Sequence, residues 1–175
     1  MKRRIDKYLN PKLLLGIVAL SGLVAFGAGN GAVSRALNIA RPDVKVEIVG
    51  TVQRGDKVIS LEKIDGVKAG EEIDWSMDSS NEGAADAQNY KLVGQIAKGT
   101  VFVGTAKGDQ SPQVTYSIDG GKNYSALPMI DERQTDGSIK KVVAPISLYT
   151  QVMFSWATPL AAQSKLHATY RVRVK

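Results

Sequence analysis

The fold class that this sequence predicts is an antiparallel all-β domain behind an apolar export segment, and three observations carry that reading. From Val44 onward the apolar residues recur with a period of two. Gly, Pro, Asn and Asp interrupt those runs at intervals of roughly ten residues, as turns do between short strands. No long stretch of this region carries a helical period.

The export segment comes first. Lys2, Arg3, Arg4, Lys7 and Lys12 precede an uncharged stretch that begins Leu13-Leu14-Leu15-Gly16-Ile17-Val18-Ala19-Leu20 and reaches Arg35. A basic head followed by an apolar run is the layout of a secretory signal. Small residues follow at Gly27, Gly29, Gly31 and Ala32, and Ser34-Arg35-Ala36 has a spacing that a signal peptidase accepts. Residues 1–36 therefore read as a signal peptide, 37–43 as an extended linker and 44–175 as the folded domain. Residues 13–34 are also long enough to span a bilayer, so an uncleaved anchor with its basic end in the cytoplasm is the alternative. Either way the chain is read as exported, to the cell surface, the periplasm or the medium.

Charge and cysteine usage narrow the function classes. The formal net charge is +6, from 23 Lys/Arg and 17 Asp/Glu. Six of those bases and one of the acids fall within residues 1–40, which leaves the folded part close to neutral. Duplex binding draws its affinity from clustered bases that neutralise phosphates, so nucleic acid is set aside as a partner. Cysteine is absent. That removes disulfides, thiolate metal sites, lipoprotein anchors and cysteine nucleophiles from consideration.

The strands follow in order. Val44, Val46 and Ile48 alternate with Lys45 and Glu47, and Arg54-Gly55-Asp56-Lys57 makes a turn into the apolar run Val58–Ile64. Ile73, Trp75 and Met77 alternate with Asp74, Ser76 and Asp78, which buries one face and wets the other. After Ser79-Ser80-Asn81-Glu82-Gly83 and an Ala-rich connection come runs over 90–96 and 100–106, split by Lys98-Gly99. Val114, Tyr116 and Ile118 lead into Asp119-Gly120-Gly121-Lys122, a hairpin signal because glycine takes positive φ freely. Val152, Phe154 and Trp156 share a face, and Leu166, Ala168, Tyr170, Val172 and Val174 form a last strand. About seven to nine strands fit an immunoglobulin-like Greek-key β-sandwich with both Trp residues inside.

Particular stretches also resemble a known family. Gly70-Glu71-Glu72-Ile73-Asp74-Trp75-Ser76-Met77 with Asn81-Glu82-Gly83, the small residues 84–88 leading to Val93-Gly94-Gln95-Ile96, Lys98-Gly99-Thr100-Val101-Phe102-Val103, and Val114-Thr115-Tyr116-Ser117-Ile118-Asp119-Gly120-Gly121-Lys122 carry the likeness. They resemble the immunoglobulin-like "conserved repeat" domain, domain of unknown function eleven, of bacterial and archaeal surface proteins. The likeness covers about residues 44–175. Ala97 stands where that family usually has Pro, and this chain has one copy where the family has arrays. The resemblance implies a sandwich at the cell surface or in the envelope, and no catalytic residues.

Each candidate site also has a structural reading. Ser117–Tyr124 is similar to the Asp-box hairpin of sialidase propellers, and Asp119, Gly120 and Gly121 are read as a structural turn. His167 is the sole histidine and shares the polar side of the last strand with Thr169, Arg171, Arg173 and Lys175. A Ser-His-Asp triad would need it beside a serine on a sharp turn, and the G-x-S-x-G signature is missing. The row His167, Arg171, Arg173, Lys175 is the candidate interaction surface, for an anionic glycan or phosphate, against the bland reading of a solvated edge strand. The acidic stretches 74–86 and 131–137 hold several oxygens that could meet calcium, but neither has the spacing that wraps the ion. Glu71 and Glu72 point to opposite faces and cannot work as an acid/base pair. Asn123-Tyr124-Ser125 fits an N-glycosylation acceptor only in a eukaryotic secretory chain.

The expectation for function is therefore an exported, non-catalytic structural or interaction module of a bacterial surface or extracellular matrix. It has no cofactor and no metal, and its partner is protein. Leu37–Val44 is the expected donor for self-association by strand addition. A glycan- or calcium-binding module is the alternative, and a secreted hydrolase the second.

Overall fold

The computed structural model describes residues 40–175. The export segment and residues 37–39 of the linker lie outside them. Ten strands follow in order: β1 (Val44–Arg54), β2 (Lys57–Ser60), β3 (Glu72–Asn81), β4 (Lys91–Gln95), β5 (Thr100–Gly108), β6 (Gln113–Ser117), β7 (Met129–Arg133), β8 (Ile139–Val143), β9 (Gln151–Ser155) and β10 (Lys165–Val174). They form a five-stranded sheet ordered β2-β1-β3-β10-β5, a three-stranded sheet ordered β4-β9-β6, and a separate β7-β8 hairpin. Every pairing is antiparallel. The domain is the all-β sandwich that the period-two pattern predicts.

Of the consecutive strands only β1–β2 and β7–β8 pair with each other; at three other connections the chain crosses between the sheets. β3–β4, β5–β6 and β9–β10 are arches between the sheets, and the strand orders place the β9–β10 arch between the other two. These arches share one end of the sandwich with Ala40. The β1–β2 turn, the β7–β8 hairpin and the C-terminus belong to the other.

Alternation on the central strands builds the core. Along β3, Ile73, Trp75, Met77 and Ser79 are buried, and along β10 so are Leu166, Ala168, Tyr170, Val172 and Val174. Val152 and Phe154 of β9 and Leu92 of β4 close the layer from the small sheet. Trp75 stacks on Tyr170 with ring centroids 6.4 Å apart, and Phe102, Tyr116 and Tyr149 form a second aromatic group. Each large side chain so buried contributes about 1.5–3 kcal/mol. Three buried aromatic side chains find polar partners: the Tyr90 hydroxyl donates to Ser79 Oγ (2.7 Å), the Tyr170 hydroxyl to the Gln95 carbonyl (2.8 Å), and Trp156 Nε1 to the Asp109 carbonyl (2.8 Å).

Two elements differ from the sequence expectation. The run Val58–Ile64 is a strand only through Ser60, after which residues 61–63 form a turn of 3-10 helix. Leu61 turns inward there and packs at Gly50, where a Cβ would lie 2.6 Å from its Cδ1. The β7–β8 hairpin has no counterpart among the strands that the period-two pattern predicts. Its ladder runs from Met129 opposite Val143 to Arg133 opposite Ile139, and Gln134 and Ser138 close its turn.

Candidate functional site

The basic row of β10 lies beside an acidic row on β3. Antiparallel register sets Arg173 opposite Glu72, Arg171 opposite Asp74 and His167 opposite Asp78. Arg171 donates from Nε to Asp74 Oδ1 (2.6 Å) and from Nη2 to Asp74 Oδ2 (3.0 Å), with a further bond from Nη1 to Glu72 (3.3 Å). That fork raises the guanidinium pKa, Asp74 being the main cause. Arg173 Nε lies 3.4 Å from Glu72, and His167 Nδ1 lies 2.8 Å from Asp78 Oδ1. Three of the four candidate residues thus meet carboxylates, while Lys175 has no ion pair among the described residues. The face is a charge-compensated ladder rather than a basic stripe.

The hydrogen bond of the His167 ring goes to the Asp78 carboxylate and not to a hydroxyl. Ser76, the hydroxyl in its neighbourhood, donates to Asp78 Oδ2 (3.2 Å), so the serine bonds the carboxylate and not the imidazole. A triad requires the reverse order.

Asp119 organises the turn after β6. Its Oδ1 accepts the main-chain N–H of Lys122 and of Asn123 (both 3.0 Å) and the Ser117 hydroxyl (2.7 Å), and Oδ2 accepts Asn123 Nδ2 (2.7 Å). The two bonds from Asn123 chiefly hold this carboxyl well below the usual carboxylate range. Gly120 and Gly121 take φ of +76° and +92°, and a Cβ on Gly121 would run into Gln151. With both carboxylate oxygens bonded within its own loop, Asp119 holds the turn together.

Several carboxylates of the acidic stretches, and Glu71 before them, already have protein partners. Asp86 caps Ala162 N–H (2.9 Å), Asp136 accepts from Ser138, and Glu71 pairs with Arg54 through two bonds of 2.7 and 2.9 Å. Among the described residues no group of three or more His, Asp or Glu is placed to hold a metal ion. Glu71 precedes β3 and faces Arg54, while Glu72 faces Arg171, so the two carboxyls serve different partners.

The linker is partly held at home. Asp43 C=O accepts Glu82 N–H (2.8 Å), Arg41 C=O accepts Ala84 N–H (3.1 Å), and Val44 already pairs with Asn81. Residues 41–44 of the expected strand donor are thus bound in their own domain.

Two surfaces emerge that sequence reasoning missed. The first is the outward face of β7–β8, where Met129 and Val143 pair at the base, Asp131 and Lys141 in the middle, and Arg133 and Ile139 near the tip. Met129, Ile139 and Val143 are exposed, as are Leu127, Ile146 and Leu148 at the hairpin's foot. Asp136-Gly137 between two runs containing paired β-formers was the signal that could have found it. The second is a cleft of about 460 Å³ at the arch end, lined by Gln110, Ser111, Gln113, Ser155, Trp156 and Thr158 among others. All its lining residues are uncharged. Gln110 and Ser111 take φ of +56° and +49° there.

No family model matches this chain, and neither does any curated protein or solved structure. The class that the structure itself defines is an all-β sandwich.

Proposed function

We propose that the chain is an exported, non-catalytic structural or interaction module of a bacterial surface or matrix, and that it associates with protein, including copies of itself. The observation that carries this reading is the apolar face of the β7–β8 hairpin. Six large apolar side chains there and at its foot face solvent, and grouped exposure of this kind marks a contact surface on a soluble domain. The middle pair, Asp131 and Lys141, is self-complementary. A twofold contact sets each Asp131 against the Lys141 of the other copy. Both outer edges of this two-stranded sheet are unpaired among the described residues, which gives strand addition a place to occur. The layout of the first forty residues and the resemblance to surface repeat domains support export.

The hairpin face alone is small beside the roughly 800 Å² per partner of a stable complex. The contact is therefore weak singly and effective in an array. Sedimentation of the exported protein across a wide concentration range tests this. Association that disappears in Met129→Glu/Val143→Glu, with melting unchanged, supports the reading; a monomer at all concentrations contradicts it.

The arch-end cleft favours a second reading, a module for a neutral glycan, since the amides and hydroxyls of Gln110, Ser111, Gln113, Ser155 and Thr158 suit sugar hydroxyls. A rise in melting temperature with neutral oligosaccharide, lost in Gln110→Ala, would support it.

A further inference from the structure

A twofold contact at the hairpin closes once two copies have met, so growth into an array needs a second surface on the same chain. The large sheet carries one. β1 pairs with β3 without a break from Val44 to Val52, but β2 joins its other side only from Thr51. From Val44 to Gly50 that side meets no strand among the described residues. Asp43 and Arg41 turn their carbonyls to Glu82 and Ala84 on the β3 side. Alternation therefore points the N–H and C=O groups of Val44, Val46 and Ile48 to the open side. The opposite margin of the sheet differs. β5 is bulged where Phe102 faces Val172 and Ala106 faces Tyr170, with Gly104 at φ +84°, and a bulge of this kind blunts an edge against pairing.

We infer that the open side of β1 is taken by β1 of a second copy, antiparallel and about a twofold axis at Val46. The stretch Val44-Lys45-Val46-Glu47-Ile48 is its own complement. In this register Lys45 faces Glu47 of the other copy and Glu47 faces its Lys45, while Val46 faces Val46 and Val44 faces Ile48. Opposite charges and β-branched pairs are favourable cross-strand neighbours. Sliding the register until Lys45 or Glu47 meets its own counterpart sets like charges together, which is unfavourable. Lys45 and Glu47 are exposed, whereas Val44, Val46 and Ile48 are half-buried on the core side, opposite Asn81, Ser79 and Met77. The ladder thus covers apolar surface as it closes. Lys45 also meets Glu82 of its own chain, an exposed pair that exchanges partners readily.

The layers leave room for this contact. Arches join β3 to β4, β10 to β9 and β5 to β6, so β4 lies across from β3 and the small sheets of the two copies stay apart. The same pairing at the outer edge of β4 would drive β1 of one copy into the large sheet of the other. A Cβ on Gly83 would strike the backbone of Arg41 and Asp43, so the chain before β1 passes over the face of Gly83 and leaves the sheet there. That departure makes room for β2 of the other copy, which begins beside its own Thr51.

The inference deepens the proposed function and rests on it. A ladder this short is marginal in water by itself. It acts between pairs that the hairpin has already joined, each of which carries two such edges.

Sedimentation of the exported protein carrying Lys45→Glu, Glu47→Lys, or an equal mixture of the two tests the register. The native protein is expected to grow past the pair. Each single variant, with melting unchanged, should stop at twice the monomer mass, because like charges then face each other. The mixture should grow again, because opposite charges are restored. Single variants that grow as the native does, a mixture that stays at pairs, or a native protein that stops at pairs would each overturn the ladder and leave the hairpin contact standing. A native protein that stays monomeric overturns the hairpin reading, and the ladder with it. Since cysteine is absent, an engineered thiol gives a second measurement. Val46→Cys at the axis should yield a disulfide-linked dimer without reductant, and Ile48→Cys, which faces Val44, should not. Linkage in both or in neither contradicts the register.

Discussion

Arg171 of β10 grips Asp74 of β3 through two parallel bonds of 2.6 and 3.0 Å, and that fork sets how the basic row meets a ligand. Both side chains are well exposed, so the pair adds under about 1 kcal/mol to stability. Its larger effect is on binding. The native protein is expected to leave a heparin column at low salt. Glu72→Ala/Asp74→Ala frees Arg171 and Arg173, and it should shift elution to clearly higher salt while melting changes little. Equal elution of the two proteins would show that the acidic row does not mask the basic one.

The fold was largely legible because alternation is local. Ile73, Trp75 and Met77 declare their face without knowledge of any neighbour, and Asp119-Gly120-Gly121 declares its turn. Strand neighbours were not legible. Arg171 and Asp74 lie 97 positions apart, and nothing in either stretch says that they adjoin, so the row on β10 read as uncompensated charge. The hairpin was hidden for another reason. Asp131, Glu132, Lys140 and Lys141 give its strands polar residues on both faces, which erases the period-two signal.

Gly94 is predicted to be intolerant of any side chain. It lies across the core from Tyr170, and a Cβ there would enter the phenol ring. Tyr170 cannot easily yield, held by its bond to the Gln95 carbonyl and its stack on Trp75. Gly94→Ala should cost about 3 kcal/mol, at the upper end of overpacking. Gly55→Ala, at φ +59° with open space around it, should cost about 1 kcal/mol for backbone strain alone. Urea unfolding of the two variants gives the comparison, and similar midpoints would contradict it.

Acid should loosen the turn after β6. The Asp119 carboxyl is depressed from its ordinary value of 3.8, chiefly by its Asn123 bonds. Glu71 is depressed from 4.5, chiefly by Arg54. A depressed carboxyl stabilises the fold above its unfolded value and loses that contribution as pH falls towards the folded one. Melting temperature should therefore fall as pH drops below about 4. Asp119→Asn and Glu71→Gln should each be less stable near neutrality and show a shallower acid slope. A slope unchanged in both variants would place the acid sensitivity elsewhere.

Trp75 is expected to matter for folding rather than for any contact. It is buried beneath Gly50 and beside Tyr170. Trp75→Ala should remove about 3–5 kcal/mol, a large part of the stability of a domain this size. Hairpin substitutions should leave melting intact. Calorimetry of Trp75→Ala beside Met129→Glu/Val143→Glu separates the two kinds of site.

Sedimentation equilibrium of the exported protein, with and without Met129→Glu/Val143→Glu, tests the central claim most directly. An apparent mass that grows with concentration in the native protein and stays monomeric in the variant is the predicted result. A native protein that remains monomeric throughout, or a variant that associates as the native does, would contradict the assignment of the hairpin face as the contact surface.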